Sequence, residues 1–390
     1  MNHTGKPSLG IGMVGYSFMG RVHSQAWRNV SAFFDTPYVP AMAVLAGRSG
    51  DKVSAAAARM GWAAAETDWK ELLHRDDVQV IDVCTPGDSH GEIAIAALDA
   101  GKHVLCEKPL ANTVSEAEEM VRAAERAEAR GIRSMVGFNY RRVPAVALAR
   151  RLVAEGRIGT VRHIRAQYLQ DWITDPEFPL VWRLDKDKAG SGALGDIGAH
   201  IIDTAEFITG DRLAGVSAIT ETFVKERPVA AESAGLGASG GSARGPVTVD
   251  DAALFIGRTA GGALASFEAT RFATGRKNSL RIEVNGSAGS LAFDFESMNE
   301  LWFHDETLDD TAGFRRILVT EPTHPYAGAW WPAGHLLGYE HTFTHEVADF
   351  LSAIASGTGP SPSFADGLHV QRVLAAVEAS AANGSGWTPV

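Results

Sequence analysis

Over roughly its first 140 residues the chain alternates short apolar runs with amphipathic stretches of helical length, and this alternation constrains the fold more than any other feature. Leu9 to Val14, Ala41 to Ala46, Val80 to Cys84, His103 to Cys106 and Ser134 to Phe138 read as buried strands. Between them, Met19 to Phe33, Asp51 to Met60, Gly91 to Ala100 and Ser115 to Ala129 carry apolar residues at helical spacing. Parallel neighbours need a crossover connection, usually a helix, so this order predicts βαβ units and a parallel sheet. Ser115, three residues before Glu118, predicts a capping box at the start of the last of these helices.

Beyond residue 140 the pattern changes to one helix, Pro144 to Glu155, followed by a long series of alternating strands. Val161 to Leu169, Val216 to Val224, Ala252 to Ile256, Ala263 to Thr270, Ser279 to Val284 and Ser290 to Phe295 predict one large, mostly antiparallel sheet, with a tight turn at Asn285 to Gly289. Helical stretches at Ile197 to Ile208, His341 to Ala355 and Phe364 to Ala382 are expected to cover one face of it. The Gly- and Ser-rich segment Ala231 to Pro246 reads as a mobile loop. A length of 390 residues suits two domains, with boundaries expected at 1–140 and 141–390 and the last helix able to pack back on the first domain.

Composition excludes several partners. With a net charge of -11 and acidic residues scattered along the chain, there is no basic footprint for nucleic acid or an anionic membrane. No run of about 20 apolar residues is present, and the polar segment Met1 to Gly10 does not read as a signal peptide. Two cysteines, Cys84 and Cys106, at the ends of apolar runs argue for reduced thiols and a cytoplasmic protein.

A literal G-x-G-x-x-G occurs at Gly10, Gly12 and Gly15, but Gly10 and Gly12 fall inside the first strand. The turn after the strand is the physical site, where Gly15, Ser17 and Gly20 hold the three glycine places of a dinucleotide fingerprint, with Phe18 and Met19 opening the helix. A helix N-terminus there offers unsatisfied N–H groups and a positive dipole end to a pyrophosphate. The second strand ends in Gly47 and Arg48, without the acidic residue that binds the ribose of NAD. Arg48 is therefore open to three readings: a partner for the 2′-phosphate of NADP, a platform for adenine, or a solvated surface residue. Thr85, Pro86, Gly87, Asp88, Ser89 and His90 form a turn into a helix at the carboxyl edge of the sheet, where open α/β folds bind ligands.

Two segments carry candidate chemistry. Glu107, Lys108 and Pro109 follow a strand and place Lys108 on the same carboxyl edge. Asp196 and His200, four residues apart at the opening of a helix, share one face. Each has a plainer alternative, a strand-end turn with a surface lysine and a helix cap with a satisfied histidine. Oxidation of an alcohol needs a proton acceptor as hydride leaves carbon, the usual work of His, and a nearby ammonium stabilises the developing alkoxide. His341 and His345 lack the H-E-x-x-H pattern of a zinc site, and no metal is expected.

Taken together, the Gly15 to Gly20 turn, Thr85-Pro86, Glu107-Lys108-Pro109 and Asp196 to His200 resemble the Gfo/Idh/MocA family of sugar and inositol dehydrogenases along essentially the whole chain. The stretches Phe138 to Arg142, Tyr168 to Trp172, Gly190 to Asp196, Pro246 to Asp251 and Ser363 to Gly367 are similar to those of its anhydrosugar-oxidising members. The resemblance implies an α/β protein: a Rossmann dinucleotide-binding domain followed by an α/β domain whose open-faced sheet makes the interface of a homodimer or homotetramer. It implies NAD or NADP as cofactor, held by Gly15, Ser17, Phe18, Met19, Gly47, Arg48, Thr85, Pro86, His90, Glu107, Lys108 and Asn139. It implies Lys108, Asp196 and His200 as catalytic residues. Tyr140, Gln170, Trp172, Arg183 and Tyr339 join these three as substrate contacts, for a sugar, a levoglucosan-like anhydrosugar or an inositol oxidised to a ketone. Two alternatives stand beside this reading: a nicotinamide-dependent lyase or glycosidase acting through transient oxidation, and a non-catalytic sugar or redox sensor.

Overall fold

The amino-terminal apolar runs become strands of a parallel sheet in the computed structural model, which describes residues 5–234 and 237–390. The run is β1 (Ser8–Val14), α1 (Phe18–Phe33), β2 (Val39–Ala46), α2 (Gly50–Met60), β3 (Ala64–Glu66), β4 (Val80–Val83), α3 (His90–Asp99), β5 (His103–Glu107), α4 (Val114–Glu128) and β6 (Ser134–Gly137). Among the described residues these strands pair in the order β3-β2-β1-β4-β5-β6, every neighbour parallel. The order reverses direction beside β1, which makes the edge between β1 and β4 a topological switch point. The capping box forms two residues earlier than the sequence predicts, with Thr113 accepting from Glu116 N and Glu116 accepting from Thr113 N. Thr113-x-x-Glu116 and Ser115-x-x-Glu118 satisfy the same spacing, so the pattern alone does not choose between them.

The chain continues through α5 (Pro144–Ala154), β7 (Val161–Leu169), α6 (Lys186–Ala189), α7 (Ala199–Thr209), β8 (Leu213–Glu221), β9 (Glu226–Ala234) and β10 (Gly237–Pro246). It then forms β11 (Ala252–Thr259), β12 (Leu264–Thr270), β13 (Ser279–Gly286), β14 (Gly289–Asp294), β15 (Glu300–Asp305), β16 (Arg315–Leu318), α8 (Tyr339–Ser356), α9 (Phe364–Ala382) and β17 (Thr388–Pro389). Among the described residues the large sheet runs β16-β15-β14-β13-β7-β12-β11-β8-β17, antiparallel except where β7 meets β12. Burial alternates along β7 and β11, so one face is core and the other is open.

Two expectations are corrected. The segment Ala231 to Pro246 is not a loop: its described part completes β9 and forms β10, which pair as a two-stranded sheet, while Gly235 and Leu236 lie outside the described residues. Its glycines serve close packing, since a Cβ on Gly245 would meet the Leu180 side chain at 2.9 Å and one on Gly240 would meet Pro228 at 3.0 Å. The stretch His341 to Ala355 does not cover the large sheet. As α8 it belongs to the first unit of the chain, which takes in residues to Asn139 and Tyr339–Gln371. The apolar spacing of Phe343, Val347, Phe350 and Leu351 explains this, because their stripe joins Ile11, Trp27, Val30 and Leu45 in one core. The second unit holds Tyr140–Ser233, Ala238–Gly338 and Arg372–Val390, and the division falls within α9. Among the described residues no helix is long and apolar enough to cross a membrane.

His103 at the start of β5 accepts a hydrogen bond on Nδ1 from the Arg133 N–H at 2.9 Å. Burial first, and then the Arg133 cation, push its imidazole down to about 4. A base whose folded pKa lies below its ordinary value contributes stability above that value and loses it as pH falls through the folded one. His103→Asn keeps an acceptor but cannot titrate. Melting temperatures measured across that window should therefore fall less steeply with acid in His103→Asn than in the parent, and parallel curves would refute the assignment.

Candidate active site

The turn that follows β1 is built for close approach. Gly10 and Gly12 lie within β1, where a Cβ on Gly10 would sit 1.7 Å from the Asp77 carbonyl oxygen. Gly15 has a φ of 107°, a conformation that favours glycine, and a Cβ there would meet the Cys84 carbonyl oxygen at 2.6 Å. A Cβ on Gly20 would lie 2.2 Å from the Gly15 carbonyl oxygen, so α1 packs directly against the turn. Ser17 is exposed at the N-cap of α1 and makes no capping side-chain bond. Phe18 is exposed and Met19 half-buried beside it. A turn cleared of side chains, opening onto the amide end of a 16-residue helix, fits a pyrophosphate.

The neighbouring strand ends add to this edge. Gly47 leaves room for the Tyr16 ring, which a Cβ would meet at 2.1 Å, and Arg48 is exposed. Glu66 on β3 is in register with Ala46 and so puts an acidic residue beside the end of β2, with Oε1 accepting from Thr67 N at 2.9 Å, a feature not read from the sequence. The Thr85 to His90 turn is tied down by Ser89 Oγ, which donates to Thr85 Oγ1 at 2.8 Å. His90 lies 2.9 Å from the carbonyls of both Thr85 and Pro109, and so joins this turn to the one bearing Lys108. The Lys108-Pro109 peptide is cis.

Behind Lys108 lies a buried polar network that sequence reasoning missed. His23 Nδ1 is 3.0 Å from both oxygens of Asp82, and its Nε2 is 2.9 Å from Glu107 Oε1. Trp27 Nε1 donates to Asp82 Oδ2 at 2.7 Å, and the Lys108 N–H donates to Glu107 Oε2 at 3.0 Å. All of His23, Asp82 and Glu107 are at most 4% exposed. Burial lowers the imidazole's proton affinity, but the Asp82 carboxylate and then Cys84 together outweigh it, and His23 is held well above its ordinary value. His23, Asp82 and Cys84 place one ligand atom each within 4.8 Å of one another. Burial first, then the Asp82 charge, push the Cys84 thiol far up. The signal that could have found the network is an Asp inside the apolar run Val80 to Cys84.

In the second unit, Asp250 fixes the segment that carries the predicted pair. Its carboxylate accepts from Gly192 N at 2.7 Å and Leu194 N at 2.8 Å, and its carbonyl accepts from Ala193 N. A Cβ on Gly192 would lie 1.7 Å from that carbonyl oxygen. The next residues, Leu194–Gly198, form a π-turn that leads into α7, with Asp196 in the turn and His200 in the first helical turn. Asp196 Oδ2 stands 3.6 Å from Nη1 of the fully buried Arg271, whose guanidinium lies over the Trp172 ring. The Arg183 guanidinium lies over Trp182, and burial lowers its proton affinity while Asp196 opposes that effect.

His200 packs against Tyr140 with ring centroids 4.5 Å apart. From Tyr140 a chain of neutral polar groups runs outward: its hydroxyl is 2.7 Å from that of Tyr168, which donates to Asn278 Oδ1 at 2.7 Å. Gln170 Nε2 donates to the same oxygen at 2.8 Å, and Trp172 Nε1 donates to Gln170 Oε1 at 3.1 Å. The second unit thus gathers Tyr140, Gln170, Trp172, Arg183, Asp196 and His200, and adds Tyr168, Asn278 and Arg271, which were not foreseen. Tyr339 belongs instead to the first unit, its ring stacked with Phe18 at 6.2 Å. Asn139 is also there, buried and donating to Thr342 Oγ1 at 2.8 Å.

Comparison with known proteins agrees with this architecture. The oxidoreductase family model with an NAD-binding Rossmann fold, GFO/IDH/MocA, matches residues 9–137, and the GFO/IDH/MocA C-terminal domain matches residues 146–292. The chain is 42% identical to levoglucosan dehydrogenase of Pseudarthrobacter phenanthrenivorans over 98% of both chains. Among solved structures, an oxidoreductase domain protein from Kribbella flavida is 68% identical with a TM-score of 0.94, covering 98% of this chain and 99% of that one. A levoglucosan dehydrogenase in complex with NADH and levoglucosan is 42% identical with a TM-score of 0.91, with the same coverage.

Gly15→Val would force a β-branched side chain into a positive φ and against the Cys84 carbonyl. Calorimetric titration with NAD should show affinity reduced by roughly tenfold or more, taking one lost charged hydrogen bond as the minimum damage. Parent-like affinity in a folded variant would show that the pyrophosphate binds elsewhere.

Proposed function

The chain belongs to the GFO/IDH/MocA oxidoreductase family and is a nicotinamide-dependent dehydrogenase of sugars or polyols, and on that premise we propose an anhydrosugar of the levoglucosan type as its substrate. The observation that carries the choice is the neutral hydrogen-bonding chain from Tyr140 through Tyr168, Asn278 and Gln170 to Trp172, which begins at His200. Aromatic faces and uncharged donors suit a neutral, polyhydroxylated ring better than a phosphorylated or acidic sugar.

Oxidation of a secondary alcohol to a ketone removes a hydride from carbon and a proton from oxygen. The nicotinamide supplies the hydride acceptor when bound. His200 accepts the hydroxyl proton, and the Lys108 ammonium stabilises the developing alkoxide. Asp196, with Arg271 beside it, accepts a hydrogen bond from a second hydroxyl and fixes the orientation of the ring. Gly15, Ser17, Phe18, Met19, Gly47, Arg48, Thr85 and Pro86 form the cofactor's seat in the first unit. His90, Glu107 and Asn139 support it through the hydrogen bonds already described.

Both NAD and NADP are accepted in this reading, because the end of β2 is flanked by an exposed Arg48 and by Glu66 on β3. A guanidinium–phosphate pair contributes about 1.5 to 3 kcal/mol. Comparison of kcat/KM for the two cofactors should show Arg48→Ala losing roughly tenfold or more with NADP and little with NAD. Equal losses with both would point to adenine stacking instead.

Self-association through the open face of the large sheet is part of the same proposal. Ile219, Leu254, Ile256 and Trp302 line one apolar groove there, between 41% and 61% exposed. The buried free thiols of Cys84 and Cys106 are consistent with a cytoplasmic setting.

Lys108→Ala and His200→Ala should each lower turnover by roughly 10²- to 10⁴-fold, with NAD affinity little changed. A panel of anhydrosugars, sugars and inositols, followed by absorbance of the reduced cofactor, checks both the variants and the substrate class. Reduced cofactor formed in step with sugar consumed supports the dehydrogenase. Sugar consumed without it would identify a transient-oxidation lyase, and parent-like turnover in either variant would remove that residue from the mechanism.

A further inference from the structure

The first unit buries a carboxylate, Asp82, and an imidazole, His23, to which the reaction gives no part, and both are linked to Glu107. Asp82 sits at 0% exposure in the middle of a strand of a parallel sheet, between Ile81 and Val83, where apolar residues are the rule. Taking charged groups out of water costs several kcal/mol each, and well-packed apolar side chains of similar volume are often as stable or more so. Stability alone therefore gives little reason for this cluster. Its connectivity gives a better one, because the hydrogen bonds form one continuous chain: Asp82 accepts from Trp27 and from His23 Nδ1, and Glu107 accepts from His23 Nε2 and from the backbone N–H of Lys108.

We propose that His23, Asp82 and Glu107 are positioning residues that hold the Lys108 turn in its working orientation, with His23 as a permanently protonated link between the two carboxylates. The inference rests on the assignment of Lys108 to alkoxide stabilisation. Only an imidazolium can donate from both ring nitrogens, and carboxylate oxygens face both of them at 2.9 to 3.0 Å. The groups facing His23 are Asp82 and Cys84 from the β4 edge, Glu107 from β5 and the Phe343 ring from α8, 5.3 Å away. The nearby Cys84 and Cys106 thiols are raised by burial and by these carboxylates, so they stay neutral and leave the two acids as the countercharges. With His23 charged, Glu107 is an ionised acceptor pinned on both oxygens, and the backbone of Lys108 hangs from one of them.

Asp82→Asn separates this role from simple packing. The amide has the shape of the carboxylate and still accepts from Trp27, but it removes the charge that holds the His23 proton. His23 then loses its proton within the working pH range, its bonds to residue 82 and Glu107 lose their ionic character, and the Glu107 anchor loosens. With NAD and an accepted sugar, kcat should fall roughly ten- to a hundredfold, the scale of a small misplacement of a catalytic group, while KM for each substrate stays within about threefold. The ratio of variant to parent kcat should climb as the assay is made more acidic and the imidazolium re-forms. His23→Gln keeps one donor and cannot titrate, so it should show a similar deficit with a ratio that does not vary with pH.

A kcat within about twofold of the parent in either folded variant overturns the proposal. So does a pH-independent ratio for Asp82→Asn, which would mark a structural defect only. If Asp82→Asn does not fold, His23→Gln decides by its kcat and its KM. Lys108→Ala, run alongside, separates the two levels. Parent-like turnover there removes the Lys108 assignment and this inference with it, whereas an impaired Lys108→Ala beside parent-like Asp82→Asn and His23→Gln removes this inference alone.

Discussion

The contact on which the first unit depends is the one between Gly20 and the Gly15 carbonyl, too close for any side chain at Gly20, while Gly15 itself is pressed against the Cys84 carbonyl. It draws the first turn of α1 onto the end of β1. His23 follows Gly20 by three residues and Trp27 by seven, so both lie on the helix face turned toward the sheet. From there they reach Asp82 on β4. The glycines that keep the turn clear of side chains thus also set the depth at which α1 delivers an imidazole and an indole to the sheet interior. Neither effect survives a small displacement of the helix.

The second unit solves a related problem by different means. Asp250 spends both carboxylate oxygens and its carbonyl on three successive backbone N–H groups, at Gly192, Ala193 and Leu194. Those are donors that the opening turn of a helix leaves without partners. The clamp fixes where the following π-turn starts, and the wider turn sets the angular offset between Asp196 and His200. Spacing of four in the sequence suggested two side chains stacked on one α-helical face. The inserted π-turn means that their relation is not that of an ordinary i, i+4 pair, a distinction invisible without the backbone.

What could be read from the sequence follows from which interactions are local. Parallel strands buried on both faces appear as unbroken apolar runs, so β1, β2, β4, β5 and β6 were found within a residue or two, as was the turn bearing Gly15. Segments at the carboxyl ends of those strands were legible as turns along one edge of the sheet because topology places them there. The small-residue strands β9 and β10 were not legible: Gly, Ala and Ser have no alternation to display, and the pairing is a property of the backbone. The destination of α8 was missed for another reason. Its apolar stripe showed that it must cover something, whereas its partners Trp27 and Val30 are more than 300 residues distant in the chain. Arg271, Asn278 and Glu66 were missed likewise, since their relevance lies in what stands across from them.

The polar interior of the first unit illustrates why such residues resist a reading by pattern. A single Asp in the apolar run Val80 to Cys84 breaks the periodicity that identifies the strand, and the natural response is to discount it. Burial of a charge is costly enough that a lone Asp at 0% exposure requires a partner, and the nearest candidate in sequence, Cys84, supplies only a weak S–H donor, 3.5 Å from Asp82 Oδ1. The partner had to be a cation or a strong donor on an element that crosses the sheet at this point. Here α1 is that element, because β1 is the strand beside β4 and α1 is its crossover helix. A buried acid in a central parallel strand therefore predicts a basic or donating residue on the helix that follows the neighbouring strand. In this chain both are present, His23 and Trp27, one turn apart and bonded to the same carboxylate.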